Sequence, residues 1–231
     1  MAFRLPKETD RTFIVGRTGQ GKTQAGLWIL AGQDWDKMPW CVLDFKRDDL
    51  LKQVIYPRAK QLKIDDDLPT EPGLYIIQSI PTEDAFQVNN DLLHRFWKHG
   101  NIGIFVDEGE QIAQMSGLRL IQKQGRSLRI PIIVIFQRPV GIKRDVLTEA
   151  DFFMIFRLKH VDDRKAIGNC MEDEYRESID QRLPDYHSWW YDDNAGTLTH
   201  VNPLPSIEKI ERMYDYRLRS MKGESNVVLL R

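Results

Sequence analysis

Cysteine is scarce in this chain: of 231 residues only Cys41 and Cys170 are cysteines, far apart and without metal-ligand spacing. That argues against a disulfide framework and against a zinc site. Long apolar runs are missing too, and none approaches the ~20 residues needed to span a bilayer. The opening residues, Met1 to Lys7, lack the apolar stretch of a secretory signal. The chain therefore reads as cytosolic. No segment repeats and none is of low complexity. The length suits one α/β domain with a short appendage, and a composition 42% hydrophobic and 29% charged can bury a real core.

Net charge is also small, −1 at neutral pH, which neither favours nor opposes a nucleic-acid partner. Its distribution is more informative. Between Gln111 and Arg144 no acidic residue occurs, while seven basic ones do: Arg119, Lys123, Arg126, Arg129, Arg138, Lys143 and Arg144. Elsewhere the acids cluster, as in Asp65-Asp66-Asp67 and Glu172-Asp173-Glu174. A solvated face is the bland explanation of such a run, and an anionic partner the functional one.

Short β-rich runs alternate with helical patterns, predicting a mostly parallel sheet covered by helices on both faces. The expected strands are Thr12–Val15, Trp40–Phe45, Leu74–Gln78, Ile102–Val106, Ile130–Phe136 and Phe152–Phe156. The fourth and fifth are continuous apolar runs, as suits central strands. Expected helices are Lys22–Ala31, Thr82–His99 with Phe86, Leu92, Leu93 and Phe96 on one face, and Glu110–Leu128. After Pro184, Trp189–Tyr191, a turn at Asp193–Gly196 and Thr197–Val201 predict a hairpin at the sheet edge. A last amphipathic helix over Ser206–Met221, with Ser206 as N-cap, precedes a tail at Gly223–Arg231 that is expected to be mobile. The expected division is one α/β domain over 1–205, including the hairpin, and a C-terminal helix and tail over 206–231.

Gly16-Arg17-Thr18-Gly19-Gln20-Gly21-Lys22-Thr23 fits G-x-x-x-x-G-K-T, between an apolar strand and a helix. Glycines let backbone N–H groups close around a β-phosphate, and the following helix aims its positive end at the same anion. Lys22 can neutralise β/γ-phosphate charge, and the Thr23 hydroxyl is a natural Mg²⁺ ligand. The run Ile102–Val106 ends in Asp107 and Glu108, where Asp107 can hold the Mg²⁺ shell and Glu108 can orient or deprotonate a water. Gln137 ends the next strand, where its amide can sense a γ-phosphate. These residues predict ATP and Mg²⁺ as cofactors and ATP hydrolysis as the reaction. The bland readings are a Gly-rich turn, a helix N-terminal acid pair and a strand-ending polar residue.

With these motifs in place, the chain resembles the FtsK–HerA superfamily of DNA-pumping ATPases. Gly125-Arg126-Ser127-Leu128-Arg129 followed by the apolar strand and Phe136-Gln137-Arg138-Pro139 is similar to the superfamily's arginine–glycine, strand, Thr-Gln-Arg-Pro signature. Phe136 replaces the usual Thr. Asp44-Phe45-Lys46 resembles its strand-end Asp-x-Lys, and Phe152–Arg164 its next strand and the Asp-x-Arg that starts a helix. The resemblance implies a RecA-like core working as a ring, usually a hexamer. It also implies an arginine finger reaching the neighbour's site, Arg126 by position, with Arg129 as runner-up.

With fifteen residues before the phosphate loop and no membrane span, the chain looks most like the genome-packaging ATPases of tailless, membrane-containing icosahedral double-stranded DNA viruses. Double-stranded DNA is then the expected partner, contacted by Lys143 and Arg144, with a portal or packaging-vertex protein as a further candidate. Host cytoplasm or the virion packaging vertex is the expected location. Two alternatives stand beside this: a filamentous-phage assembly or conjugative-type ATPase of the same superfamily, and a nucleotide-dependent adaptor docking through Trp189, Trp190 and Tyr191.

Overall fold

A computed structural model describes residues 4–78 and 85–224. The strands are β1 (Arg11–Val15), β2 (Pro39–Asp44), β3 (Lys60–Leu62), β4 (Gly73–Gln78), β5 (Gly103–Val106), β6 (Ile132–Phe136), β7 (Phe152–Ile155), β8 (Ser188–Asp192) and β9 (Thr197–Val201). The helices are α1 (Lys22–Ala31), α2 (Asp49–Val54), α3 (Ala85–His99), α4 (Ser116–Gln124), α5 (Arg144–Leu147), α6 (Val161–Gly168), α7 (Arg176–Asp180) and α8 (Ile207–Met221).

All nine strands form one sheet in the order β3-β4-β2-β5-β6-β1-β7-β8-β9. Every pairing from β3 to β7 is parallel, and β8 alone runs antiparallel to its neighbours, β7 and β9. The fold is thus the α/β, RecA-like P-loop core with a C-terminal hairpin and helix that the sequence predicts. Six expected strands lie within two residues of their observed bounds. The unexpected β3 is three residues of edge strand, too short to carry a pattern.

Strict alternation divides the core between the two faces of the sheet. Phe13 and Val15 point into one cluster, with Leu92, Leu93 and Phe96 of α3 and Leu118 and Ile121 of α4. Ile14, between them, points into the other, with α1, α2 and α8. Helix α1 lies close on the sheet because Gly26 carries no side chain; a Cβ there would come within 2.8 Å of the Phe105 ring. Helix α8 packs outside α1, its buried Tyr214 hydroxyl donating to the Leu27 carbonyl at 2.9 Å and its ring stacking on Trp35. Ser206 caps it as expected, its hydroxyl accepting from the Lys209 N–H at 3.3 Å.

Two helical expectations need correction. The helix predicted over Glu110–Leu128 is broken: a 3-10 turn covers Gly109–Gln111, and α4 begins only at Ser116. The Glu110 carboxylate accepts the backbone N–H groups of Gln137 and of Arg138 (3.0 Å for the latter), and Asn90 accepts the Gly117 N–H at 3.0 Å. Those contacts hold the segment in turns where periodicity alone reads helix. Phe86, expected on the buried face of α3, is 55% exposed. Helix α4 covers only the later part of α3, where Gly117 abuts Leu93 and Gln124 bonds Trp97, so the first turn has no partner from it. The expected start of α3 at Thr82 and most of the expected tail, 225–231, lie outside the described residues.

At the N-terminal edge of the central strands, Asp151 and Arg11 are both buried. Asp151 accepts the Arg11 backbone N–H at 2.8 Å and its Nε at 2.9 Å, and Arg126 adds a second guanidinium. Burial pulls this carboxyl upward, but the hydrogen bonds and charges of Arg11, with Arg126, hold it below the usual carboxylate range. A depressed carboxyl stabilises the fold above its unfolded-state value, and that stability is lost as pH falls through its folded-state value. Asp151→Asn should therefore unfold about 3 kcal/mol more easily at neutral pH, as expected on uncoupling a buried ion pair. Urea titrations over a descending pH series should show the gap between variant and wild type closing in acid.

Candidate ATP site

The site begins with strand order. Because β6 lies between β1 and β5, the ends of these three strands bring Gly16, Gln137 and Asp107 to one edge of the sheet. The loop Gly16–Thr23 turns off β1 there. Its Gly16 N–H donates to the Phe136 carbonyl at 3.3 Å and the Arg17 N–H to the Arg157 carbonyl at 3.2 Å. Gly16 has φ 153°, and a Cβ on it would lie 2.5 Å from that of Phe156, so no larger residue fits. Gly21, with φ 88°, opens α1, and the unpaired N–H groups of the first helical turn face the loop.

Six of the side chains that the motifs single out converge here: Thr18, Lys22, Thr23, Asp107, Glu108 and Gln137. The Thr23 hydroxyl donates to Asp107 Oδ1 at 2.9 Å. Gln137 Nε2 donates to Glu108 Oε1 at 2.9 Å, while Gln137 Oε1 accepts from the Thr18 hydroxyl at 3.0 Å. This fixes the amide orientation and ties the phosphate loop to the glutamate. Lys22 Nζ donates to the Arg17 carbonyl at 3.0 Å, and burial draws its ammonium below the ordinary lysine value. All of these except Arg17 line one cleft of about 370 Å³, together with Lys46, Asp48, Leu50 and Tyr186.

Charge is balanced tightly inside the cleft. Asp107 is pushed up to about 7, chiefly by burial and then by Asp48, with the Thr23 hydrogen bond opposing. Such a carboxylate calls for a cation. A hard divalent ion prefers oxygen donors, and Thr23 and Asp107 present a hydroxyl and a carboxylate side by side, so the residues present fit Mg²⁺. The other oxygen of Glu108 pairs with Lys46.

Some participants escaped the motif reading. Lys46 entered only through the Asp-x-Lys resemblance, and Asp48, Glu110 and Tyr186 not at all. The buried Asp44 accepts the N–H of Arg47 at 2.7 Å and the Tyr56 hydroxyl at 2.9 Å, shaping the turn that presents Lys46 and Asp48. Glu110 had no pattern to mark it.

The remaining candidate residues lie elsewhere. Arg126 pairs with Asp151, whose N–H bonds Arg11 at the start of β1, so Arg126 sits at the sheet edge opposite the phosphate loop. Arg129 pairs with Glu8 at 2.6 Å, also away from the cleft. Lys143 and Arg144 are exposed where α5 begins, and neither forms an ion pair among the described residues. Arg119, Lys123 and Arg138 pair with Asp145 or Asp163. Most of the basic run is therefore neutralised by acids outside it or, for Asp145, just beyond its end.

Comparison of the chain with known proteins supplies the family. It is 32% identical over 222 residues to the DNA packaging ATPase P9 of Enterobacteria phage PRD1, covering 93% of this chain and 96% of that protein. The chain belongs to this family of packaging ATPases. No protein-family model matches it. Among solved structures, the genome packaging NTPase B204 of Sulfolobus turreted icosahedral virus 2 superposes with a TM-score of 0.67 at 17% identity, over 87% of this chain and all of B204. The conjugation coupling protein TcpA of pCW3 superposes at 0.59 with 11% identity, over 90% of this chain and 65% of TcpA. At these identities the two structures speak for the fold. The P9-family member thus carries its phosphate loop, strand-end carboxylates and Gln137 on the frame of a packaging-type ATPase, as the FtsK–HerA resemblance implies.

Proposed function

We propose that this P9-family ATPase hydrolyses ATP to drive double-stranded DNA into a viral particle, working as a ring. The observation that carries the reading is the hydrogen-bonded chain Thr18–Gln137–Glu108 across the phosphate-loop cleft, in a chain whose relative is named a DNA packaging ATPase. In this reading Gly16–Thr23 and Lys22 hold the β- and γ-phosphates. Thr23 and Asp107 would hold Mg²⁺, which would supply charge neutralisation at the phosphates. Glu108 accepts a proton from the attacking water, and Gln137 holds the carboxylate in position while sensing the γ-phosphate through Thr18. Lys46 pairs with the other oxygen of that carboxylate and so helps to hold it in place.

Double-stranded DNA is the partner, and the virion vertex or the host cytoplasm is where the motor would work. Lys143 and Arg144, free of ion pairs among the described residues, are proposed to touch the DNA backbone. Contacts to phosphates alone suit a motor that must move any sequence. ATP turnover should rise with duplex DNA of any sequence, and binding should weaken steeply with salt. Replacing Lys143 and Arg144 together by alanine should cut that stimulation severalfold and leave ATP affinity unchanged. Turnover indifferent to DNA in the wild type would instead favour the adaptor reading.

Arg126 is proposed to complete the neighbouring subunit's site. Its place at the far edge of the sheet supports action in trans, because five residues of β1, about 17 Å of strand, separate that edge from its own phosphate loop. An arginine supplied this way can be worth about 10³–10⁵ in rate. Mixing Arg126→Ala with Glu108→Gln subunits should restore part of the activity that each lacks alone. Mixed rings that form and stay inactive would make Arg126 a structural partner of Asp151.

A further inference from the structure

Beyond the phosphate groups, we infer that Tyr186 is a platform on which the nucleobase stacks. The inference rests on the ATP-binding reading above and assigns a subsite of that cleft. Tyr186 lies in the loop between α7 and β8, far in sequence from every motif that marks the phosphate end. Three observations meet on it.

The first is backbone conformation. Tyr186 has φ 65°, the left-handed region, where a bulky side chain is a genuine outlier. Glycine would take this conformation freely, and asparagine with little strain. What tyrosine adds is its ring. Backbone strain of this kind persists where the surroundings hold it, and it gathers at ligand sites.

The second is placement. The loop is fastened to the phosphate loop itself: Gln20 Nε2 donates to Asp185 Oδ1 at 3.0 Å. The Tyr186 ring lies against Gly21, its Cδ1 3.0 Å from where a Cβ would stand, with Leu204 Cδ1 at 3.3 Å beside it. Gly21 opens the helix that receives the phosphates, so the ring stands next to the polyphosphate path. It is also the single aromatic side chain among the described residues lining the cleft.

The third is exposure. Tyr186 is 52% exposed although its neighbours Leu183 and Leu204 are buried, so the ring is not used to fill the core. Nor does its hydroxyl make a hydrogen bond among the described residues, which leaves the π-face as the useful part. Stacking on an aromatic face tolerates every base and favours the larger purines. The platform would therefore strengthen binding of ATP and GTP alike and discriminate weakly between them.

The test separates base from phosphates. Calorimetric titration of the full chain with Mg²⁺ would compare ATPγS with inorganic tripolyphosphate, which has no base. Tyr186→Gly should bind ATPγS about tenfold more weakly, as expected for loss of one stacked base. Tripolyphosphate should bind both proteins equally. Tyr186→Phe should restore ATPγS binding to within about twofold, because the ring suffices. Thermal unfolding of Tyr186→Gly should occur at or above the wild-type temperature, since the strain is relieved. Tyr186→Asn, which tolerates the same backbone, should repeat the loss if the glycine variant does not fold.

Unchanged ATPγS affinity in Tyr186→Gly or in Tyr186→Asn would overturn the proposal. An equal loss for tripolyphosphate would also overturn it, by showing that the ring shapes the phosphate loop. If wild-type protein bound neither ligand, the phosphate-loop reading itself would fall, an outcome distinct from both.

Discussion

The parallel pairing of β6 with β1 on one side and β5 on the other is the constraint from which the site follows. Register sets Val15 beside Phe136 and Val106 beside Val134, so three strand ends open at nearly one level. The phosphate loop, Gln137 and the Asp107–Glu108 pair are then neighbours without any long connection. A one-residue slip of β6 would turn Phe136 and Val134 out of one core and into the other. It would also carry Gln137 away from Glu108. Packing enforces the register, because Phe136 meets Phe13 edge to face at 5.2 Å inside the cluster that buries Val134. Gly109 tightens the same contact: a Cβ on it would stand 2.4 Å from the Phe136 ring.

Electrostatics divide between the two edges of the sheet. At the N-terminal edge, Arg11, Arg126 and Asp151 form a buried to half-buried cluster that fastens β1 to β7. At the C-terminal edge the acids Asp48, Asp107 and Glu108 face Lys22 and Lys46, and burial of Lys22, Asp107 and Glu108 keeps both signs short of solvation. The first arrangement is satisfied within the fold. The second is balanced by pairs that a bound nucleotide and cation would rearrange, Lys22 toward phosphate and Asp107 toward metal. That asymmetry separates a cluster already paired within the subunit from one built to receive a ligand, although both contain buried ions.

Much of this was legible in the sequence for physical reasons that can be named. Helix α1 was expected at its observed bounds because a helical pattern follows the first strand and its glycine-rich loop. Strands β5 and β6 announced themselves as unbroken apolar runs, and β8–β9 as two β-rich segments about a turn. Long-range polar pairings had no such signal. Nothing local to Lys46 says that it reaches Glu108, and nothing near Glu110 says that its carboxylate caps the end of β6 and breaks a helix. Periodicity placed Phe86 inward because it reports which face a residue occupies, and it is silent on whether a partner helix extends far enough to cover it. Tyr186 depends on a backbone angle that composition does not encode.

The central claim is that Glu108 activates water in a cleft whose phosphate loop binds ATP independently of it. Paired measurement of MgATP binding and single-turnover hydrolysis for Glu108→Gln, with Lys22→Ala as the binding-deficient control, tests this most directly. The glutamine variant should bind ATP as tightly as wild type and hydrolyse it about 10²–10⁴-fold more slowly, the usual contribution of a general base. The Lys22 variant should lose binding. Full hydrolysis by Glu108→Gln with ATP still bound would contradict the assignment.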